Sequence, residues 1–406
     1  MTEGSQMRAL LGGRRRHYSL PQKFYTDPTF YELDLKGVFE RRWIFAGLEC
    51  ELKEPGDYLT LSIARSSVVV LRDEDETIAA FFNTCRHRGS TICPPGHGAV
   101  GALTCPYHQW TYDLKGKLVY AGEMHAEFDP KGIALKPVSV ATFAGMVFVC
   151  LCEDPPDFAE FSDTLGPFLA PHELAGAKLA WSEEIVINAN WKLVVENSRE
   201  CYHCDARHPE LVRTFYTRFD ATSTDAVVIE HARTCREGGL KNGQAMGEDF
   251  QLSRMPLTGG ARTLSMDGTV VCAKRLGNVP DADIGSMRWF HFPSMFAHVL
   301  SDYAFFFRVL PLGVDRTLVT SNWYVSAAAE EGRDYETKTL SKLWSLTNDQ
   351  DRDLCERNQE GIASLGYQPG PYSEVREGHV AKFVEWYADT MADYLGPDER
   401  RAVRAA

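Results

Sequence analysis

The sequence predicts an α+β protein, with a small all-β unit inserted into a larger α+β body. Three observations predict it. Short segments rich in β-branched residues run from about Trp43 to the pair Pro155–Pro156. Helical periodicity precedes that stretch and returns late in the chain, from about Tyr335 to Leu395. Between the two, residues 285–326 form a second block of strands.

In chain order, "DPTFYELDLKGVFERRW" offers Asp27 and Pro28 as a helix start, followed by apolar residues at helical spacing. From Trp43 the period changes. "DYLTLSIARSSVVVLRDEDETIAAFFNTCRHRG" reads as strands broken by the turn-forming "RDEDE", and strand character persists through "GKLVYAG" and "GMVFVCLC". It stops at "EDPPDFAEF". Beyond that, "LAWSEEIVINAN" reads as a strand and "WKLVVENSRECYHC" as a helix. The later strands are "SMRWFHFPSMFAHVL", "DYAFFFRVLPLG" and "RTLVTSNWYVSA". The expected division is a helical segment 1–42 packed on the larger unit, a β-domain 43–157 and a larger α+β domain 158–406.

At 406 residues the chain can build two domains. A net charge of −13 argues against nucleic acid or an anionic membrane surface as the main partner. No apolar run approaches the ~18 residues of a membrane span. The first residues lack the apolar run and cleavage site of a signal peptide. Eleven cysteines, an odd number without framework spacing, suggest a reducing cytoplasm, with a few thiols on metal and the rest buried.

The β-unit carries "CRHRGSTICPPGHGAVGALTCPYHQW". Cys85 and His87 are one residue apart, Cys105 and His108 two, and seventeen residues separate His87 from Cys105. Zinc fingers keep like ligands together. Here each short loop supplies one thiolate and one imidazole, which suits a binuclear [2Fe–2S] cluster with two cysteines on one iron and two histidines on the other, the Rieske arrangement. Neutral imidazoles in place of thiolates raise the reduction potential and suit electron relay. Gly89, Pro94, Pro95, Gly96 and Gly98 allow tight turns that aim backbone N–H groups at the sulfurs.

A second constellation is "RECYHCDARHPE", with Glu200, Cys201, His203, Cys204 and His208. Its letters permit a zinc knot, a Cys-x-x-Cys redox pair or a two-histidine iron site. No thioredoxin-like βαβ pattern surrounds the cysteines. On a helix Glu200 and His203 share a face, whereas His203 and His208 would splay by ~140° unless the helix breaks, and Pro209 favours such a break. An iron site of this kind takes a carboxylate as third ligand, completing a facial triad. "TNDQDRDLCERNQEG" offers Asp349, Asp351 and Asp353, and spacing does not choose among them.

The pattern Cys-x-His-x17-Cys-x2-His in an inserted β-domain, followed by a two-histidine segment, resembles the oxygenase component of Rieske non-haem iron oxygenases over nearly the whole chain. The resemblance implies a catalytic domain with a helix-grip-like antiparallel sheet. It assigns Cys85 and Cys105 to one cluster iron and His87 and His108 to the other. It assigns His203, His208 and, through the form Asp-x2-Leu-Cys-Glu, Asp351 to a mononuclear Fe(II), with Asp353 as runner-up. The family helix motif, Glu/Asn-x3-Asp-x2-His-x4-His, fits Glu196 and both histidines; its bridging Asp is Glu200 here, a departure of one methylene. In the family that residue links the cluster of one subunit to the iron of the next around a homotrimer. The cysteines of the pair are bystanders in this reading.

The resemblance also implies partners and a reaction. Electrons come from a separate NAD(P)H-dependent flavin and iron–sulfur reductase, since no Gly-rich dinucleotide fingerprint follows a strand here. "FYTDP", "RRWIFAG", "NTCRHRGS", "CPYHQWTYDL", "NSRECYHC" and "LCERNQEGI" are similar to oxygenases that demethylate glycine betaine and the proline betaine stachydrine, using O2 and releasing formaldehyde. The alternatives are hydroxylation of an aromatic ring or small organic acid, or an electron carrier without chemistry of its own. For a quaternary ammonium the expected site is an aromatic cage. Trp289, Phe290, Phe292, Phe296, Tyr303, Phe305, Phe307, Trp323 and Tyr324 supply rings without a choice among them, and Arg288 and Arg308 lie nearby in sequence.

Overall fold

Asp27 caps the helix Pro28–Asp34, its carboxylate accepting the Thr29 N–H, and Pro28 occupies the first turn. The structure, a computed structural model, describes residues 2–218, 225–280 and 283–396. Asp34, fully buried, receives Lys192 Nζ, Trp191 Nε1 at 3.1 Å and the Tyr387 hydroxyl at 2.5 Å. This knot joins the N-terminal helices to the helix Trp191–Ser198 and the last helix, Gly378–Leu395. Losing one partner of such a buried pair costs about 3–5 kcal/mol.

The inserted unit contains three small antiparallel sheets. One runs Ile78–Phe82, Ser66–Arg72, Asp57–Ile63, His97–Ala99; a second Ile44–Leu48, Met146–Cys150, Ser139–Phe143; a third Leu103–Thr104, Thr111–Tyr112, Leu118–Tyr120. Val69, Leu71, Phe81, Tyr112 and Leu118 form a core that also contains Cys85 and Cys105. The loops bearing those cysteines are thus anchored in packed side chains.

The larger body is a seven-stranded antiparallel sheet in the order Ala177–Ile187, Arg316–Ser326, Ala304–Gly313, Met295–Val299, Ser286–His291, Phe250–Met255, Gly243–Met246. The long helix Thr337–Ala363 lies across it, with Trp344 stacked on Phe305 at 4.6 Å. Of the last two strands in that order, Phe250–Met255 escapes the sequence pattern because buried Gln251 and Arg254 break its apolar alternation, and Gly243–Met246 because it is short and mostly exposed. Among the described residues no helix is long and apolar enough to cross a membrane.

One local expectation fails. The helix predicted over "WKLVVENSRECYHC" ends at Ser198, and a separate turn, Cys204–Arg207, follows. Side-chain bonds compete with the helix there: the Glu200 carboxylate accepts the Tyr202 N–H, and buried Arg199 turns to Gln251. Glu200 and His203 therefore meet through a folded loop and not along a helix face.

Candidate iron centres and cavity

The two cluster loops are built alike. Gly89 N–H donates to Cys85 C=O and Gln109 N–H to Cys105 C=O, at 2.9 and 3.0 Å. Cys85 N–H and Cys105 N–H donate to the carbonyls of Ser90 and Trp110. The fourth residue after each cysteine is left-handed: Gly89 at φ +79° and Gln109 at φ +58°. Each loop thus turns its thiol inward and its imidazole outward. Cys85 and Cys105 are buried, His87 is half-buried and His108 exposed.

The imidazoles of His87 and His108 stand 4.6 Å apart, and Trp110 stacks on His87. The Tyr112 hydroxyl lies 3.4 Å from Cys85 Sγ. Burial pushes the Cys105 thiol up, but the N–H groups of Tyr107 and His108, with contacts from Cys85 and Ser90, outweigh it and hold the pKa below its ordinary value. Buried His87 Nδ1 has no partner. A donor set that favours thiolate beside an orphaned imidazole nitrogen fits the two-cysteine, two-histidine cluster.

At the second centre, His203 Nε2 and His208 Nε2 are 3.1 Å apart, and Asp351 Oδ1 lies 3.3 and 3.0 Å from them. Two ligands held at about 2.1 Å from one ion and at right angles are about 3 Å apart, so this triangle fits a single metal. The far ring nitrogens are held too: His203 Nδ1 by Glu200 at 2.5 Å and His208 Nδ1 by Gln350 at 2.6 Å. Those acceptors keep the Nδ1 positions protonated and leave the Nε2 lone pairs for the metal. His203 is raised to about 9: burial works against the charge, but Asp351 and Glu200 prevail. Burial likewise works to raise Asp351, yet the two imidazoles hold it below its ordinary value.

His208 departs from helical geometry at φ −121° and ψ 63°, ahead of Pro209. Asp349 pairs with Arg352, and Asp353 with Arg207 and Arg357, so neither reaches the triangle. Cys201 and Cys204, expected as bystanders of the iron site, are joined as a disulfide. Cys204 Sγ, 3.9 Å from His203 Nε2, is therefore no thiolate ligand, which removes the zinc-knot reading. The other nine cysteines are free.

A cavity opens on this triangle. One wall is the sheet, where His298 pairs in register with Phe305 and Phe296 with Phe307, placing all four side chains on one face. Trp344, stacked on Phe305, and Phe215, edge-on to His298, also line it. Of the nine rings the sequence offered, Phe296, Phe305 and Phe307 line the cavity; Trp289 and Tyr324 pack in another core, and Phe292 packs on Phe383 and Trp386. Phe290 stacks on Phe296 beneath Arg199, Trp323 backs Phe305, and Tyr303 donates to Leu264 C=O. Phe215, Trp344, His298 and Gln350 were not singled out from sequence; for Gln350 the only signal was its place beside Asp351.

A family model described as the Rieske [2Fe-2S] domain matches residues 42–143, and one described as the ring hydroxylating alpha subunit (catalytic domain) matches residues 174–393. The chain is 43% identical over 394 residues to the glycine betaine monooxygenase oxygenase subunit of Chromohalobacter salexigens, covering 95% of this chain and 88% of that one. It is 40% identical over 415 residues to the subunit of the same name from Pseudomonas aeruginosa, covering 98% and 94%. Among solved structures it is similar to a quaternary ammonium Rieske monooxygenase studied for carnitine oxidation and inter-subunit electron transfer. The TM-score is 0.72 at 22% identity, covering 95% of this chain and 98% of that one, a likeness of fold.

Proposed function

The chain belongs to the Rieske ring-hydroxylating oxygenases as an alpha, or oxygenase, subunit, and on that premise we propose that it N-demethylates a small quaternary ammonium betaine, glycine betaine foremost. One observation carries the substrate class. The cavity beside His203, His208 and Asp351 is walled by Phe215, Phe296, Phe305, Phe307 and Trp344, and no lysine or arginine is among its described lining residues. A trimethylammonium head cannot donate a hydrogen bond, and aromatic ring faces that open on the cavity bind it through cation–π attraction of about 0.5–2 kcal/mol per contact.

His203, His208 and Asp351 would hold the mononuclear iron, and Cys85, Cys105, His87 and His108 the cluster. Together these metals supply electron delivery and oxygen activation, which organic side chains lack. The chain's own part is to bind the ammonium head, exclude water with apolar walls and hold the iron ligands in register. Hydroxylation of one N-methyl group gives a carbinolamine that releases formaldehyde and the demethylated amine.

Exposed His108 is the natural exit for the cluster's electron, and Glu200, bonded to His203, the natural receiver. We take the transfer to run between neighbouring copies of a homotrimer, with Glu200 as the bridge. An NAD(P)H-dependent flavin and iron–sulfur reductase would feed it, in the cytoplasm where reduced nicotinamide is available. Iron-quantified protein, reduced and exposed to O2 with a panel of betaines and aromatic acids, tests the reading. Formaldehyde from glycine betaine at about one per electron pair is expected; product from an aromatic acid alone would overturn the substrate while leaving the family intact.

A further inference from the structure

A betaine has two ends, and the aromatic walls account for only one. Asp351 and Glu200 occupy the iron side of the cavity, so a substrate carboxylate is repelled from there and must find a donor on another wall. The sheet wall contains one. His298 is fully buried, its ring lines the cavity between Phe296 and Trp344, and its Nε2 has no partner. Its Nδ1 is 2.6 Å from Ser286 Oγ.

That contact sets the tautomer. Among the described residues His298 Nδ1 is the one hydrogen-bond partner of Ser286 Oγ. If Nδ1–H donated to the serine, the hydroxyl proton would be left without an acceptor; if Oγ–H donates to Nδ1, both atoms are satisfied and Nε2 carries the hydrogen. Burial, with the positive Arg288 guanidinium beside it, depresses the pKa of His298 far below its ordinary value, so the ring stays neutral. Arg288 faces His298 in strand register and shares its side of the sheet with Ser286 two residues away, which adds positive potential to this end of the cavity.

We propose that His298 is the carboxylate-recognising residue of the cavity, its Nε2–H donating to the carboxylate of a betaine and so turning the N-methyl groups toward His203, His208 and Asp351. The proposal rests on the betaine reading above. It explains how a site with two carboxylates of its own accepts a zwitterion in one orientation. A ligand with the same ammonium head and no carboxylate has nothing to offer His298.

Binding of glycine betaine and of tetramethylammonium to the iron-loaded protein, measured by calorimetry, tests this in the parent, His298→Leu, His298→Gln and Ser286→Ala. Leucine should weaken glycine betaine by about tenfold to a hundredfold and leave tetramethylammonium within about twofold. Glutamine, which restores a donor, should recover most of the loss, and Ser286→Ala should show a smaller loss with the same selectivity. Iron content and cluster absorption on each variant separate a collapsed site from a lost contact, and Ser286→Ala carries the test if the leucine variant does not assemble. Equal losses for both ligands, or none for glycine betaine, would overturn the role of His298 while the betaine reading stands. A parent protein that binds and demethylates neither ligand would fail at the substrate reading itself and take His298 with it.

Discussion

Glu200 Oε1 lies 2.5 Å from His203 Nδ1, on the ring edge away from Asp351. The extra methylene of glutamate, where the family motif has aspartate, still reaches the histidine. Glu200→Gln preserves the shape and removes the charge. Both metals should remain bound while electron arrival at the mononuclear iron slows, read as a lower single-turnover rate with unchanged iron content. An unchanged rate would reduce Glu200 to a structural residue.

The division of ligands makes a second expectation. His203→Ala and Asp351→Ala should each lose the mononuclear iron and keep the cluster's visible absorption, leaving about two irons per chain. Asp353→Ala should keep the iron, because that carboxylate serves Arg207 and Arg357. Loss of colour in His203→Ala would show that the two centres had been wrongly separated.

What was legible in the sequence was what lies close along the chain. Cys85 with His87 and Cys105 with His108 sit on two turns of one kind, so ligand spacing and loop geometry are the same information. Asp351 comes from a distant helix, and spacing left it level with Asp349 and Asp353; the resemblance chose it, and the arginines that occupy its neighbours become visible only in three dimensions. The early end of the helix at Ser198 was not legible, because the bonds of Arg199 and Glu200 that stop it have no periodicity. Nor was the cavity: strand register sets Phe296, His298, Phe305 and Phe307 side by side, and alternation within one strand cannot tell a lining ring from a packed one.

Gln350 receives His208 Nδ1–H at 2.6 Å and so fixes which nitrogen faces the metal. Gln350→Leu removes that acceptor without touching a ligand. Affinity for Fe(II) should fall about 10- to 100-fold, seen as faster iron loss to a chelator, with the cluster unaffected. Unchanged retention would show that packing alone orients His208.

Glu196 gives a dependence on pH. It is half-buried, and accepts hydrogen bonds from Tyr25 at 2.9 Å and Tyr372 at 3.2 Å. Burial raises its pKa from 4.5 to about 7, against the pull of those two hydroxyls and of Lys192. A carboxyl raised by folding favours the native state in its neutral form. Its contribution is therefore full below about pH 4.5 and is lost as pH climbs through 7. Glu196→Gln is neutral throughout, so its urea midpoint relative to the parent should rise between pH 5 and pH 8. The shift corresponds to at most about 3 kcal/mol. A midpoint difference that does not change with pH would mean that Glu196 titrates alike in the folded and unfolded chain, and that its two tyrosines offset the cost of burying its charge.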